Sequence, residues 1–353
     1  MKNLYFFVFI FIIVGCSTEK KETNQITQKI RFVEASFETE QVNAIEGEDA
    51  ADDPAIWINP IDASKSIIYG SNKKGGIENY DFSGKRLRFF EFGRFNNIDI
   101  QYGFAFDSSS IDILGGSNRT TNTFDVFSIS PSGDSISLIL SQPVNTIEEV
   151  YGFCLHKTLT NEFYAFVNGK SGKVEQWKLK CTGDSVYAEF ANKMAAPTQV
   201  EGMVVDAEQN LLFLGEEDGG ILKFDLSNKS DTVGTYIENS SEENTNIKFD
   251  IEGLCLYSKK NNVGYLIASS QGNNTFAVFN RKPPHKYIKS FQIKLGKDTV
   301  KETDGIDVYN INFGKGFEKG VFVCQDGFNK SSGKDVPQNF KIVAWSKIEN
   351  SLR

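Results

Sequence analysis

The sequence predicts an all-β fold, a six-bladed β-propeller of four-stranded antiparallel blades, and three observations carry that prediction. Helical periodicity is nearly absent along the 353 residues. In its place stand short alternating runs rich in Phe, Ile, Val and Tyr, parted by Gly, Asn, Asp and Ser clusters, as in a chain of many short strands. One pattern also recurs, a polar or acidic residue, then Gly or Pro, then an apolar run. Its copies are Asp53-Pro54-Ala55-Ile56, Tyr102-Gly103-Phe104, Tyr151-Gly152-Phe153, Glu201-Gly202-Met203, Glu252-Gly253-Leu254 and Asp304-Gly305-Ile306. The second positions follow one another at 49, 49, 50, 51 and 52 residues. An all-strand period of this length suits one four-stranded propeller blade. Six such units in a ring leave only short outer edges, which limits the edge-strand hazard.

The chain begins with segments that do not belong to this fold. Lys2 precedes an apolar run, Leu4 to Val14, that is too short to span a bilayer and reads as a signal peptide. Ile13-Val14-Gly15-Cys16 is similar to a bacterial lipobox, in which the cysteine is acylated and becomes the mature N-terminus. The alternative is an ordinary secretory signal with a chance cysteine. Ser17 to about Lys29 is polar and charged, as a flexible tether would be. The expected organisation is a lipoprotein signal peptide over 1–15, a lipidated tether over 16–30 and the propeller over 31–350. The protein is therefore expected to be exported and membrane-anchored by lipid on Cys16, on the periplasmic or surface side of the cell envelope, and monomeric.

A net charge of −8 without basic blocks excludes nucleic acid and anionic lipid as main partners. An acidic protein that holds a polyanion needs metal ions to reverse the local charge. Of five cysteines, four follow Cys16: Cys154, Cys181, Cys255 and Cys324. None forms a CxxC pair and three lie in apolar runs, which favours buried thiols, although an exported protein can form disulfides.

In a propeller the innermost strand of every blade starts at one mouth of the central channel. The first residues of the repeat, Asp53, Tyr102, Tyr151, Glu201, Glu252 and Asp304, are expected to converge there. Crowded carboxylates repel and must bind cations or protonate. A ring of hard oxygen ligands suits Ca²⁺. His156 and His285 are the only histidines and fall in different blades, which speaks against a zinc or iron site. A solvated acidic rim without function is the alternative. A second marker falls later in each unit and contributes Lys73, Lys74, Arg119 and Lys170 from the first three, then Glu216, Glu217 and Asp326 from the last three. Cations facing metal-loaded carboxylates make a bipolar cleft fit for a polyphosphate.

Several stretches carry a family resemblance. Among them are Asp49-Ala50-Ala51-Asp52-Asp53-Pro54-Ala55-Ile56-Trp57, Asn72-Lys73-Lys74-Gly75, Asn96-Asn97-Ile98-Asp99, Glu149-Val150-Tyr151-Gly152-Phe153, Asp250-Ile251-Glu252-Gly253-Leu254 and Gln325-Asp326-Gly327. From about Phe37 to Trp345 the chain resembles the β-propeller phytases, the alkaline or Bacillus-type family. The resemblance implies a 3-phytase-type phosphoric monoester hydrolase acting on myo-inositol hexakisphosphate (phytate), as its calcium salt, with several Ca²⁺ ions. Carried over by motif, Asp53, Tyr151, Glu201, Glu217, Glu252 and Asp304 line or ligate the catalytic calcium cluster, with Asp250 beside Glu252 and Asp298 as a further ligand. Asp52, the Ile98 carbonyl, Asp326 and Glu38 serve sites nearer the structural end. Lys73, Lys74, Arg119 and Lys170 contact substrate phosphate. The catalytic set expected is Lys73, Arg119, Tyr151, Glu201, Glu217 and Asp304.

Two departures stand out. Two extra residues separate Glu38 from Asp52, and Ser171-Gly172-Lys173 lacks a carboxylate that the family often has. The implied mechanism is direct hydrolysis by a calcium-bridged water. No Arg-His-Gly sequence is present and no cysteine has an arginine six positions later, so neither conventional phosphatase nucleophile is available. The rival readings are a lactonase-like calcium propeller and a non-catalytic binding propeller, because the fold alone does not specify function.

Overall fold

The protein is described by a computed structural model over Met1, residues 29–331 and residues 334–353. The signal-peptide and lipidation readings, Cys16 included, and nearly all of the tether lie outside the described residues. Six antiparallel sheets follow one another along the chain. Blade 1 comprises Ala51–Trp57, Ile67–Asn72, Gly76–Asp81 and Arg86–Phe90. Blade 2 comprises Phe95–Phe106, Ser109–Asn118, Thr123–Ile129 and Ile136–Pro143, and blade 3 Val150–Lys157, Phe163–Gly169, Lys173–Thr182 and Ser185–Ala195. Blade 4 comprises Val200–Asp206, Leu211–Glu216, Gly220–Asp225 and Thr235–Tyr236, and blade 5 Ile251–Ser258, Gly264–Ser270, Thr275–Asn280 and Tyr287–Leu295. Blade 6 runs Ile306–Tyr309, Val321–Asp326 and Asn339–Ala344, and its fourth strand is Phe37–Glu38 from the start of the chain. Inner strands pack on their neighbours in order, and the sixth packs on the first. The expected six-bladed propeller is the observed one.

Closure by the N-terminal strand is a feature that the repeat alone did not reveal. Glu38 pairs with Lys341 across the last sheet. Arg31–Glu34 adds a parallel fifth strand outside blade 5. The chain also ends in a helix, Trp345–Leu352, that the sequence reading did not anticipate. Its first residue, Trp345, stacks on Tyr257 with ring centroids 3.8 Å apart. The core is not one mass but a set of apolar layers, each made by two adjacent blades, such as Tyr69 and Ile77 of blade 1 against Phe95, Leu114 and Phe127 of blade 2. Cys154, Cys255 and Cys324 are buried free thiols, and Cys181 is half-buried and free.

The repeat has a physical cause. In each of the first five inner strands the pairing register slips near its start, between Ala51 and Pro54, Phe95 and Ile98, Val150 and Phe153, Val200 and Met203, and Ile251 and Leu254. A bulge of this kind bends the strand and re-aims one side chain. Glycine at the second bulge position lets adjacent inner strands touch. A Cβ on Gly152 would meet the Glu201 carbonyl oxygen at 1.9 Å, and one on Gly202 the Glu252 carbonyl at 2.2 Å. One on Gly253 would meet the Asp304 carbonyl at 2.6 Å. Each glycine thus draws the next blade's acidic residue to the axis.

The bulges correct the expected ring at two blades. In blade 1 the residue aligned with Tyr151, Glu201 and Glu252 is Asp52, and Asp53 takes the glycine position. In blade 2 the aligned residue is Asn96, not Tyr102. Tyr102 lies at a second register slip, between Gln101 and Phe104, which is why its Tyr-Gly-Phe sequence imitates the motif. Its hydroxyl donates to the Ile56 carbonyl at 3.0 Å, away from the mouth.

Candidate active site at the channel mouth

The second strand of each blade ends at the mouth, and the residue just past it faces the opening. These residues are Lys73, Arg119 and Lys170 in blades 1 to 3 and Glu217 and Gln271 in blades 4 and 5. The predicted bipolar arrangement is therefore present: cations on one half, oxygens on the other. A cleft of about 1160 Å³ opens there, lined among others by Asp49, Lys73, Tyr151, Glu217, Asp250, Glu252 and Asp304.

Carboxylate oxygens of Glu201, Glu217 and Glu252 lie within 4.8 Å of one another. Three acidic groups of the mouth are held from behind by neutral amides. Asn96 Nδ2 donates to Glu201 Oε1 at 2.8 Å, Gln199 Nε2 to Glu217 Oε1 at 2.6 Å and Gln271 Nε2 to Asp304 Oδ1 at 2.6 Å. Amides orient a carboxylate without neutralising it. Lys73 is the exception. Its ammonium lies 2.8 Å from Asp49, 3.1 Å from Asp304 and 3.2 Å from Asp52, so its three donors all face carboxylates.

On the other half, the Tyr151 ring lies under two cations, Arg119 at 5.5 Å and Lys170 at 5.0 Å from its centroid. Arg119 also donates to Asn96 Oδ1 at 3.3 Å. Lys74 is exposed beside Lys73 and makes no ion pair among the described residues. The opening thus offers a seat for anions beside a cluster of uncompensated oxygens.

A family model described as Phytase matches residues 8–353. The chain is also 40% identical over 329 residues to the 3-phytase of Bacillus subtilis (strain 168), covering 91% of this chain and 85% of that protein. The chain belongs to the phytase family. Among solved structures, the crystal structure of BBS1N in complex with ARL6DN, soaked with lead, superposes with a TM-score of 0.47 at 12% identity. That match covers 82% of this chain and 78% of the other, and it is too distant to speak to chemistry.

The mouth of this phytase crowds buried carboxylates together. Asp52 Oδ2 and Glu252 Oε2 are buried and have no hydrogen-bond partner. Burial drives both carboxyls well above their ordinary range, opposed at Asp52 by Lys73 and reinforced at Glu252 by Glu201. Burial also pushes Glu217 up to about 7 and Asp304 to about 6, the latter restrained by Lys73. The Glu201 charge, then burial, raises Tyr151 and keeps its phenol protonated. Buried carboxylates that lack partners carry a large desolvation penalty unless a cation or proton joins them. Hard oxygen donors with orphan lone pairs fit Ca²⁺, and the donor set lacks the nitrogen and sulfur that zinc prefers.

Not every predicted residue of the phytase joins this cluster. Asp53 turns into the channel below, a cavity of about 240 Å³, where its Oδ2 accepts the Ile98 N–H at 3.1 Å. Ile98 lines the same channel wall. Glu38 and Asp326 meet each other instead, through Lys341, whose ammonium lies 2.5 Å from Glu38 and 2.8 Å from Asp326. Asp298 belongs to a short outer strand paired with Leu295, and its charge reaches Asp326 rather than the mouth. Glu216 is buried and spent on Thr198 and Tyr236, leaving Glu217 to face the cleft. Asp250 is half-buried at the cleft edge.

The sequence reading missed Asn96, Asp49, Gln199 and Gln271 as site residues. Asn96, Asp49 and Gln271 stand within recognised stretches, and Gln271 also at a repeat-equivalent position, but nothing in a single chain marks an amide as the support of a carboxylate.

Proposed function

We propose that this phytase releases inorganic phosphate from myo-inositol hexakisphosphate, taken as its calcium salt, in a calcium-dependent reaction without a covalent enzyme intermediate. The supporting observation is the pair of buried, unpartnered oxygens on Asp52 and Glu252 beside the Glu201–Glu217–Glu252 cluster. Asp52, Glu201, Glu217, Glu252 and Asp304 would hold calcium at the mouth, with Asp250 at its edge, and Asp53 with Ile98 would hold it in the channel. Calcium bound there supplies charge for the phosphoryl oxygens and a water of lowered pKa.

The chain's own residues do the rest. Arg119 and Lys170 take phosphoryl oxygens in charge-assisted hydrogen bonds, with Lys74 reaching the adjacent phosphate and Lys73 joining it where calcium would take over its carboxylates. Tyr151 fixes the two cations over its ring and, kept protonated, presents a hydroxyl rather than another anion. Asn96, Gln199 and Gln271 lock the carboxylates, so no reorganisation is needed as charge develops. The two cations over the Tyr151 ring disfavour a neutral lactone as substrate.

The enzyme works as an exported monomer held to a membrane by lipid on Cys16. A Cys16→Ser variant should then move to the soluble fraction. The test of function is phosphate release from calcium phytate near neutral to alkaline pH, with and without EGTA. Release that stops on chelation and is lost in Glu217→Gln supports the proposal. No release in calcium removes the activity, and release that survives full chelation removes the calcium dependence.

A further inference from the structure

The anion seat at the mouth already contains an anion. Glu149, two residues before Tyr151, reaches across the ring with one oxygen. Its Oε1 accepts from Arg119 Nη2 at 2.7 Å and lies 3.5 Å from Lys170 Nζ. A carboxylate placed between two cations is charged at neutral pH. The Glu149 side chain is 51% exposed, whereas Arg119 is 16% exposed and Lys170 38%. The carboxylate therefore enters the seat from the solvent side.

It does not fill the seat. Arg119 Nη1 is engaged by Asn96, but Arg119 Nε is buried and has no partner. One bridging carboxylate oxygen cannot satisfy that donor. A phosphate group has three terminal oxygens and can take Nε, Nη2 and Lys170 together, in the forked geometry that guanidinium favours.

We propose that Glu149 is a built-in occupant of the Arg119–Lys170 phosphate seat, which a substrate phosphate must displace, and that it thereby sets apparent substrate affinity. The proposal rests on the reading of Arg119 and Lys170 as phosphate contacts. Displaced, Glu149 swings into water, where its charge is readily hydrated. A phosphomonoester gains an extra hydrogen bond and the larger charge. After hydrolysis Glu149 returns to the seat and helps free phosphate to leave.

The test is calorimetric binding of myo-inositol hexakissulfate, a non-hydrolysable polyanion, to the calcium-loaded protein. Glu149→Gln, Glu148→Gln and Arg119→Gln are compared with the parent. Glu148 is 79% exposed and pairs with Lys173 at 2.9 Å rather than with the seat, so it controls for loss of one nearby negative charge. Glu149→Gln should tighten binding about three- to tenfold and lower KM with little change in kcat, a size ordinary for a partly exposed ion pair. Glu148→Gln should do neither, and Arg119→Gln should weaken binding. If Arg119→Gln weakens binding while Glu149→Gln does not tighten it, the occupant role is wrong and the phosphate seat stands. Equal tightening by both glutamate variants reduces the effect to bulk charge and also overturns the proposal. No effect of Arg119→Gln removes the seat and the occupant together.

Discussion

At the scale of single residues, three carboxylates of the mouth are oriented by groups that carry no charge. Gln271 shows this most plainly: its amide fixes Asp304 Oδ1, while Asp304 Oδ2 faces Lys73 at 3.1 Å. Replacing Gln271 with leucine should leave the fold intact and free Asp304 to rotate. Outer-sphere partners of metal ligands are worth about 10- to 100-fold in affinity. Calcium titration by calorimetry should register a loss of that order, and unchanged affinity would remove the positioning role. The placement of the charged residues was largely legible beforehand. Lys73, Arg119, Tyr151, Lys170, Glu201, Glu217, Glu252 and Asp304 all meet at one opening, because acid and base at repeat-equivalent positions must share a face. The supporting role of the amides was not legible, since it exists only through distances to partners remote in sequence.

At the scale of the element, the unit that matters is a bulged inner strand with glycine beside its functional residue. Gly253 has the Asp304 carbonyl and the Gly305 Cα within 2.8 Å of where a Cβ would stand, all of it backbone that cannot rotate away. Gly253→Ala should push blades 5 and 6 apart at the mouth, destabilising the protein by about 1–3 kcal/mol as overpacking does. Activity should fall much further, about 100-fold, because a shift of 1 Å at a reacting centre has effects of that size. Chemical denaturation and phosphate release together test this, and equal small losses in both would contradict it. Bulges also explain where sequence reasoning slipped. The even spacing through Pro54, Gly103 and Gly152 was partly coincidence, because Gly103 belongs to a second bulge lower in the blade 2 strand. The true blade 2 residue, Asn96, lies 44 residues after Asp52 and 55 before Tyr151, an offset that regular counting hides. Strand closure by Phe37–Glu38 was invisible for a different reason: two residues have no periodicity to detect.

At the scale of the molecule, the propeller is a ring that gathers carboxylates at its axis, where a cation or a proton must offset the cost of burying them. Without metal, folding must hold Glu217 and Asp304 where their protonated forms are favoured, with values raised to about 7 and about 6. Between their ordinary range and these values the folded state binds more protons than the unfolded one, so stability falls as pH rises. The melting temperature of EGTA-treated protein should therefore drop as pH goes from about 5 to about 8. Calcium, which favours the charged forms, should flatten that slope and stabilise most at the alkaline end. His156 acts in the opposite sense on the acid side: burial lowers it from 6.5 to about 4, so its contribution is lost as pH falls through that interval. A melting temperature that rises with pH in EGTA across neutrality would contradict the carboxylate account.

The most direct measurement is a crystal structure of the protein grown in abundant Ca²⁺. It should place ions among Asp52, Glu201, Glu217, Glu252 and Asp304, with oxygen distances of about 2.3–2.6 Å. A mouth free of metal, with those carboxylates arranged as they are now, would contradict the account.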